Sequence, residues 1–483
     1  MICGPKSSGK STFAKLLINQ LLTSSMSTFE QVTTVPRELR TPGVAFLDVD
    51  PGQPEYAPPG QVSLVYITEP NFGPPYTHPN ASNAGRECIR AHSIASSSSA
   101  SNTALYLACV TDLLFHYRLL KSKKKCPLVI NTPGWVLGTG LELLAEIIQK
   151  ASLTGVIYMS QEGPYDVVQS LRHVAGSIPF VTLPSQPTDF TARTAAHQRS
   201  MQVMSYLHFR LEREAKESWD PNPLVSMPPL MLKYTGNNAG IFGLMCQGEQ
   251  PLAEMIIDRI NGTLVAVVVI DDMAFIPGPT GNFVDPDSDD HSQGFRFSDW
   301  KTGHKWTSES EFVIDDKIEK KIIIRTPELI PYFNPKLPIS IDPRHSHTIG
   351  LALIRGVDVK RRRFHLLTPI PLSSLENVTS LGKRIILVSG NLDTPGWAYT
   401  EQLCQRTGIR KGREYQAARL SDQDAEDGGD TTTSQTQGSI EADLECAPWV
   451  DKVRGDQSRG VGAKAWRVRR DLGKNSSDKD QAS

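Results

Sequence analysis

Apolar positions recur along the chain in two rhythms. After a glycine-rich turn, Phe13, Leu16, Leu17 and Leu21 follow one another at helical spacing, which predicts a loop feeding directly into a helix over residues 11–22. Residues 44–47, 128–130 and 155–158 are short, almost wholly apolar runs that stop at Asp48, at Asn131-Thr132-Pro133-Gly134 and at Ser160-Gln161, the pattern of buried parallel strands. Helical stretches over 104–120 and 140–151 lie between them. Strands alternating with helices predict an α/β doubly wound parallel sheet, whose ligands gather at the carboxyl ends of the strands. After about Leu211 the rhythm changes to β-rich runs over 262–270, 321–325, 347–355 and 384–389, joined by turn-forming residues. The expected organisation is an α/β domain over 1–212, a mostly β C-terminal domain over 213–412 with an acidic insertion near 277–291, and a disordered linker and basic tail over 413–483.

Composition narrows the picture only in places. With 483 residues there is room for more than one core, and 51 Lys and Arg against 52 Asp and Glu exert no global pull on a polyanion. Contact with nucleic acid must therefore come from local basic patches. One such patch lies in the tail, where Lys464, Arg467, Arg469 and Arg470 surround Trp466 beyond a linker of Asp, Thr, Gln, Gly and Ser over 421–438. The serine run at 96–101 reads as a second, short low-complexity insert. The seven cysteines, Cys3, Cys88, Cys109, Cys126, Cys246, Cys404 and Cys446, are odd in number and scattered without zinc-ligand spacing, which fits a reducing compartment. No signal-peptide pattern opens the chain and no apolar run approaches the ~18 residues of a membrane span, so an intracellular protein without a membrane partner is expected.

The chemistry begins in the first turn. Gly4, Pro5, Lys6, Ser7, Ser8, Gly9, Lys10 and Ser11, followed by Thr12, fill every fixed position of a Walker A loop. Glycines let backbone N–H groups wrap phosphates, the helix N-terminus adds its positive end, Lys10 reaches the β and γ oxygens, and Ser11 ligates Mg²⁺. A P-loop normally follows a buried strand, yet only Met1, Ile2 and Cys3 precede Gly4, which predicts a longer natural N-terminus.

At the end of the next apolar run stands Asp48-Val49-Asp50-Pro51-Gly52-Gln53-Pro54-Glu55. A carboxylate there either joins the Mg²⁺ shell or takes the proton of an attacking hydroxyl, with Asp50 better placed than Asp48; the bland alternative is two Asp residues capping a turn. The third run ends in Asn131 where a GTPase carries Asp, which argues against a plain GTPase. Trp135, just past that turn, either stacks on a base or fills the core. Arg193 and Arg199 lie in a helix-like run, as arginines of a flap or as ordinary solvated charges. Residues 70–79 form either a clasp over the substrate or a plain surface loop.

Taken together, the loop, LDVDPGQPEY, INTPGWVLGTG and residues 193–208 resemble the polynucleotide 5′-hydroxyl kinases of pre-ribosomal RNA processing, especially fungal nucleolar members. Their relatives include the kinase subunit of the messenger-RNA 3′-end cleavage factor. The resemblance implies that Lys10 and Ser11 bind ATP and Mg²⁺, that Asp50 orients the RNA 5′-hydroxyl and acts as base, and that Gln53 and Trp135 contact the RNA. It further implies that Arg193 and Arg199 close over the phosphates, and that an endoribonuclease of the ribosomal spacer binds the tail in the nucleolus. Family members carry a β domain ahead of the kinase, which this sequence lacks. Two other functions stay open: a nucleotide-bound scaffold without catalysis, and a kinase of small molecules.

Overall fold

The computed structural model describes residues 1–29, 43–83, 85–160, 163–186, 193–211, 217–236, 239–271, 322–337 and 339–402. The expected acidic insertion, the linker and the basic tail lie outside the described residues.

Two eight-stranded sheets organise the chain. In the first, β1 (Ile2–Cys3), β2 (Val44–Asp48), β3 (Gln61–Ile67), β4 (Ser82–Asn83), β5 (Arg86–Ser93), β6 (Leu128–Asn131), β7 (Val156–Met159) and β8 (Phe180–Leu183) are ordered β4-β5-β3-β2-β6-β1-β7-β8. Strands β2, β6, β1, β7 and β8 run parallel to one another, and β2, β6 and β7 are the three predicted apolar runs. The strand ahead of the loop is present as Ile2–Cys3, seated between β6 and β7. What periodicity did not reveal is the antiparallel half, β3, β5 and β4, added beside β2.

Helices cover both faces. The first, α1 (Lys10–Phe29), buries Ala14, Ile18 and Leu22 against Val44, Phe46, Val65 and Ile67. This four-residue spacing leaves Leu16, expected on the apolar face, 60% exposed. On the opposite face α2 (Thr103–Lys124), α3 (Thr139–Lys150) and α4 (Tyr165–Ala175) share one core through Leu105, Leu113, Leu144, Ile147 and Leu171. Among the described residues no helix is long and apolar enough to cross a membrane.

Next, α5 (Ala195–His208) leads through the hairpin β9 (Phe209–Leu211) and β10 (Glu217–Trp219) to the second sheet. Its strands are β11 (Leu230–Lys233), β12 (Gly243–Cys246), β13 (Leu264–Ile270), β14 (Ile323–Arg325), β15 (Pro331–Phe333), β16 (Ser346–Asp358), β17 (Arg363–Leu367) and β18 (Arg384–Ser389). They are ordered β11-β17-β16-β13-β18-β12-β15-β14, mostly antiparallel, with β12 parallel to both β18 and β15. Both faces are apolar: Met201, Met204 and Leu207 of α5 pack on one, and Ile256, Ile260 and Leu375 of the short helices α6 (Ile256–Ile260) and α7 (Leu372–Ser380) on the other.

The serine run is no insert. Ser96 and Ser99 are buried, Ser96 bridges to Asn391, and Ser93, Ser96 and Ser98 each accept the backbone N–H two residues on, at 3.0, 3.2 and 3.3 Å. Serine hydroxyls that satisfy their own backbone make an ordered turn without apolar content.

The two sheets are joined by a polar knot around Arg90 of β5. Its guanidinium donates to Asp271 Oδ2 at 2.8 Å, to the carbonyls of Pro343 and Ser346 at 2.9 Å each, and to Asp112 Oδ2 at 3.4 Å. Burial alone would raise the Asp271 carboxyl; hydrogen bonds from His347 and Lys383, with the charge of Arg90, instead hold it well below the usual carboxylate range. A carboxyl held low in the folded chain stabilises it fully above about pH 4, the range of a free carboxylate, and that stabilisation is lost as acid drives the pH down toward the folded value. Arg90→Met keeps the stem but removes the cation shared by two carboxylates and the donor to the Pro343 and Ser346 carbonyls. A loss of roughly 3–5 kcal/mol in denaturant unfolding is expected at neutral pH, shrinking in acid. A loss below about 0.5 kcal/mol, the scale of an exposed pair, would show that the knot does not hold the sheets.

Candidate active site

The loop after β1 is shaped by contacts that leave no room for side chains. Gly4 has φ +142°, and a Cβ there would lie 2.8 Å from the Met159 carbonyl oxygen; one on Gly134 would lie 2.7 Å from Lys6 Cα. The turn after β6 is therefore packed on the P-loop itself. Ser7 and Gly9 also have positive φ, as a loop that curls its N–H groups inward requires. Lys6, Ser7 and Thr12 lie on the exposed rim, Pro5 and Gly9 are half-buried, and Gly4 and Ser8 are buried. Lys10 is buried too, and its ammonium donates to the Pro5 carbonyl across the loop at 2.7 Å. Burial lowers its pKa, while the nearby Asp50 charge works the other way.

Behind the loop, Asp48 gathers the second and third motifs. Its carboxylate accepts from Glu55 N at 2.8 Å, Asn131 Nδ2 at 3.0 Å and Asp50 N at 3.3 Å, and Asn131 Nδ2 also reaches Ser11 Oγ at 3.4 Å. Desolvation pushes the Asp48 carboxyl up to about 8 against these donors. Asp48 thus has no lone pair turned to solvent, whereas Asp50 is partly exposed in the turn, bonded through Oδ1 to Gly52 N at 2.9 Å. Burial raises the Asp50 carboxyl, and Lys10 and Arg199 oppose the rise. A carboxylate raised toward neutrality beside a cation suits proton transfer. Two buried oxygens near the loop, Ser8 Oγ and Asn131 Oδ1, have no protein partner. The Ser8 hydroxyl can donate to a phosphate, and Asn131 Oδ1 with Ser11 and Asp50 supplies hard oxygens that suit a hydrated Mg²⁺.

Helix α5 closes the other side. Thr194 caps it, with Arg193 half-buried just before the cap and Arg199 in its second turn. Gln53 Nε2 donates to Gln198 Oε1 at 2.6 Å, and Gln202 Nε2 to the carbonyls of Pro54 and Ala57 at 2.6 and 2.8 Å. These bonds hold α5, and Arg199 with it, against the turn that carries Asp50 and Gln53. Residues 70–79 are tied to α1: Lys15 Nζ meets Glu55 Oε1 at 2.6 Å and the Gly73 carbonyl at 2.6 Å, and buried His78 meets the same Glu55 oxygen at 3.0 Å. Phe72 stands out from this loop, 83% exposed. Trp135 is half-buried, its ring lying over Gly140, whose Cβ would come within 2.8 Å of it, beside the core formed with α3.

Sequence reasoning missed Asp48 as the centre of this arrangement, reading it as the lesser of two turn carboxylates. Its position at the last residue of a buried strand was a usable signal. Gln198 offered none, since its partner Gln53 lies far away in the chain.

Residues 4–209 match the family model described as mRNA cleavage and polyadenylation factor CLP1 P-loop. The chain is 38% identical to the polynucleotide 5′-hydroxyl-kinase GRC3 of Gibberella zeae, over 98% of this chain and 60% of that protein. It is 37% identical to the polynucleotide 5′-hydroxyl-kinase grc3 of Neosartorya fischeri, over 95% and 57% respectively. The chain thus spans less than two thirds of the length of these curated relatives. Among solved structures, the wild-type Clp1p–Pcf11p complex is similar with a TM-score of 0.44 and 14% identity, over 81% of this chain and 74% of that one.

Trp135→Ala separates the two uses of that ring. A stacking role predicts affinity for a single-stranded oligonucleotide weaker by roughly 1–3 kcal/mol with ATP affinity unmoved. A fall in thermal stability with both affinities reduced together would make the ring core.

Proposed function

Because the chain is homologous along nearly its whole length to fungal polynucleotide 5′-hydroxyl-kinases, with a P-loop domain of the CLP1 type at residues 4–209, we propose that it transfers the γ-phosphate of ATP to the 5′-hydroxyl of RNA. The observation that carries the reading is the convergence on one turn: Asp50 lies within Coulombic reach of both Lys10 in the loop and Arg199 on α5. A scaffold that merely holds nucleotide needs the loop alone; the carboxylate and the arginine are what transfer chemistry requires.

In this mechanism the backbone N–H groups of the loop and the start of α1 cradle the phosphates, and Lys10 meets charge that develops on the β and γ oxygens. When bound, Mg²⁺ neutralises phosphate charge, and Ser11 and Asp50 are the residues that would hold it. The 5′-hydroxyl oxygen attacks the γ-phosphorus, its proton passes to the Asp50 carboxylate, and ADP leaves. Asp48 and Asn131 keep Asp50 and Ser11 in register, Gln53 and Trp135 orient the terminal nucleotide, and Arg193 and Arg199 meet the charge of the transferred group. The RNA substrate, on this reading, is the cleaved internal spacer of pre-ribosomal RNA, processed in the nucleolus together with the endoribonuclease that generates the 5′-hydroxyl.

Incubation of the chain with γ-labelled ATP, Mg²⁺ and a 5′-hydroxyl RNA oligonucleotide tests the transfer. Lys10→Ala should retain less than about a tenth of wild-type kcat/KM, a loss above ~1.4 kcal/mol. Asp50→Asn should lower kcat while leaving ATP binding measurable. ATP binding by the wild type without any transfer would favour the scaffold.

The tail tests the partnership. Basic residues around one Trp beyond a polar linker suit a segment that orders on a protein surface, with Trp and Arg as anchors. Deleting residues 447–483 should spare transfer to a short oligonucleotide and reduce co-purification with the endoribonuclease. Equal loss of transfer on naked RNA, with partner binding unchanged, would assign the tail to RNA.

A further inference from the structure

We infer that Asp393, carried by the segment that follows the second sheet, is a positioning residue for the phosphoryl transfer: it fixes the guanidinium of Arg199 at the rim of the site. The inference rests on the reading above in one respect, that Arg199 acts on the transferred phosphate. Arg199 Nε and Nη2 both donate to Asp393 Oδ2, at 3.1 and 2.9 Å. Using one oxygen for two nitrogens leaves Nη1 for a further acceptor, such as a phosphate oxygen.

The segment bearing Asp393 is held on all sides. Asn391 N donates to the Ala95 carbonyl at 2.7 Å, and Thr394 Oγ1 accepts from Leu264 N at 3.2 Å. Leu392 lies over Gly60, where an added Cβ would come within 2.3 Å of its Cδ2, and Gly60 N in turn donates to the Pro51 carbonyl beside Asp50. Trp397 packs on His197 of α5 with ring centroids 5.3 Å apart. The carboxylate therefore sits on a rigid support that also touches the Asp50 turn.

Stability does not explain the pair. Asp393 is 58% exposed, and a pair of that kind adds little to folding. Its effect falls on Arg199, a long side chain whose freedom must be lost before it can serve a transition state; a fixed acceptor removes that freedom in advance. The second sheet thus supplies part of the transfer machinery of the first.

The test uses the full chain and four variants: Asp393→Asn, Asp393→Glu, Arg199→Ala and the double variant Asp393→Asn with Arg199→Ala. Affinities for ADP and for a non-hydrolysable ATP analogue are measured with Mg²⁺ by calorimetry, beside kcat and KM on the 5′-hydroxyl oligonucleotide. Asp393→Asn should cut both the preference for the ATP analogue over ADP and kcat by about tenfold, with KM for the oligonucleotide unmoved and melting temperature near wild type. Asp393→Glu should recover part of the loss. In the Arg199→Ala background Asp393→Asn should add nothing, since the carboxylate acts only through that arginine. Wild-type values in Asp393→Asn, additive losses in the double variant, or a rise in kcat, the mark of a latch restraining Arg199, would each overturn the inference. If the wild type transfers no phosphate, the kinase reading falls, and the nucleotide preference alone still decides the role of Asp393.

Discussion

A buried carboxylate at the end of β2 is the constraint on which the site depends. Asp48 has been withdrawn from water, which raises its carboxyl in spite of three N–H donors that the structure aims at it from three places in the chain. Each donor then has its own consequence. The Asp50 and Glu55 amides bend the turn so that Asp50 faces the loop, and the Asn131 amide extends to Ser11. Apolar packing alone could tolerate small slips between β1, β2 and β6; a carboxylate with every donor specified cannot.

The same logic operates between the sheets. An apolar interface would hold them together but would allow sliding, whereas Arg90 must meet two carboxylates and two carbonyls at once. Tyr206 of α5 adds a second fixed point, accepting from Leu351 N at 2.9 Å. Helix α5 therefore packs on the second sheet while Gln198, Arg199 and Gln202 serve the first. The candidate site is composite for this reason: its floor comes from the parallel strands and one wall from a helix whose position the second sheet sets.

Electrostatics in the cleft is arranged in opposing pairs. Burial would drive Lys10 toward neutrality and Asp50 toward protonation, and each partly restores the charge of the other. Such a pair is poised for a substrate that brings its own negative phosphates and a hydroxyl proton. Glu55, Lys15 and His78 form a further group that anchors residues 70–79 on α1.

The residues of the loop, the turn carboxylates and the parallel strands were legible in the linear order, because each depends on neighbours a few positions away: glycines on their own φ, buried strands on short continuous apolar runs, a helix on its helical spacing. The antiparallel strands β3 and β5 were not, since Arg90 and His92 interrupt the apolar run of β5 and find their partners only across the fold. The serine turn at 96–101 misled for a related reason, its order coming from hydroxyl bonds to the backbone and a bridge to Asn391. Sequence by itself determined which chemical groups the chain offers: a phosphate-loop pattern, two turn carboxylates after it, and the arginines of residues 193–208. Only tertiary structure decided which carboxylate is locked and which is open, and that Asp393 meets Arg199 across nearly two hundred residues, because long-range pairing is set by packing geometry that no local pattern encodes.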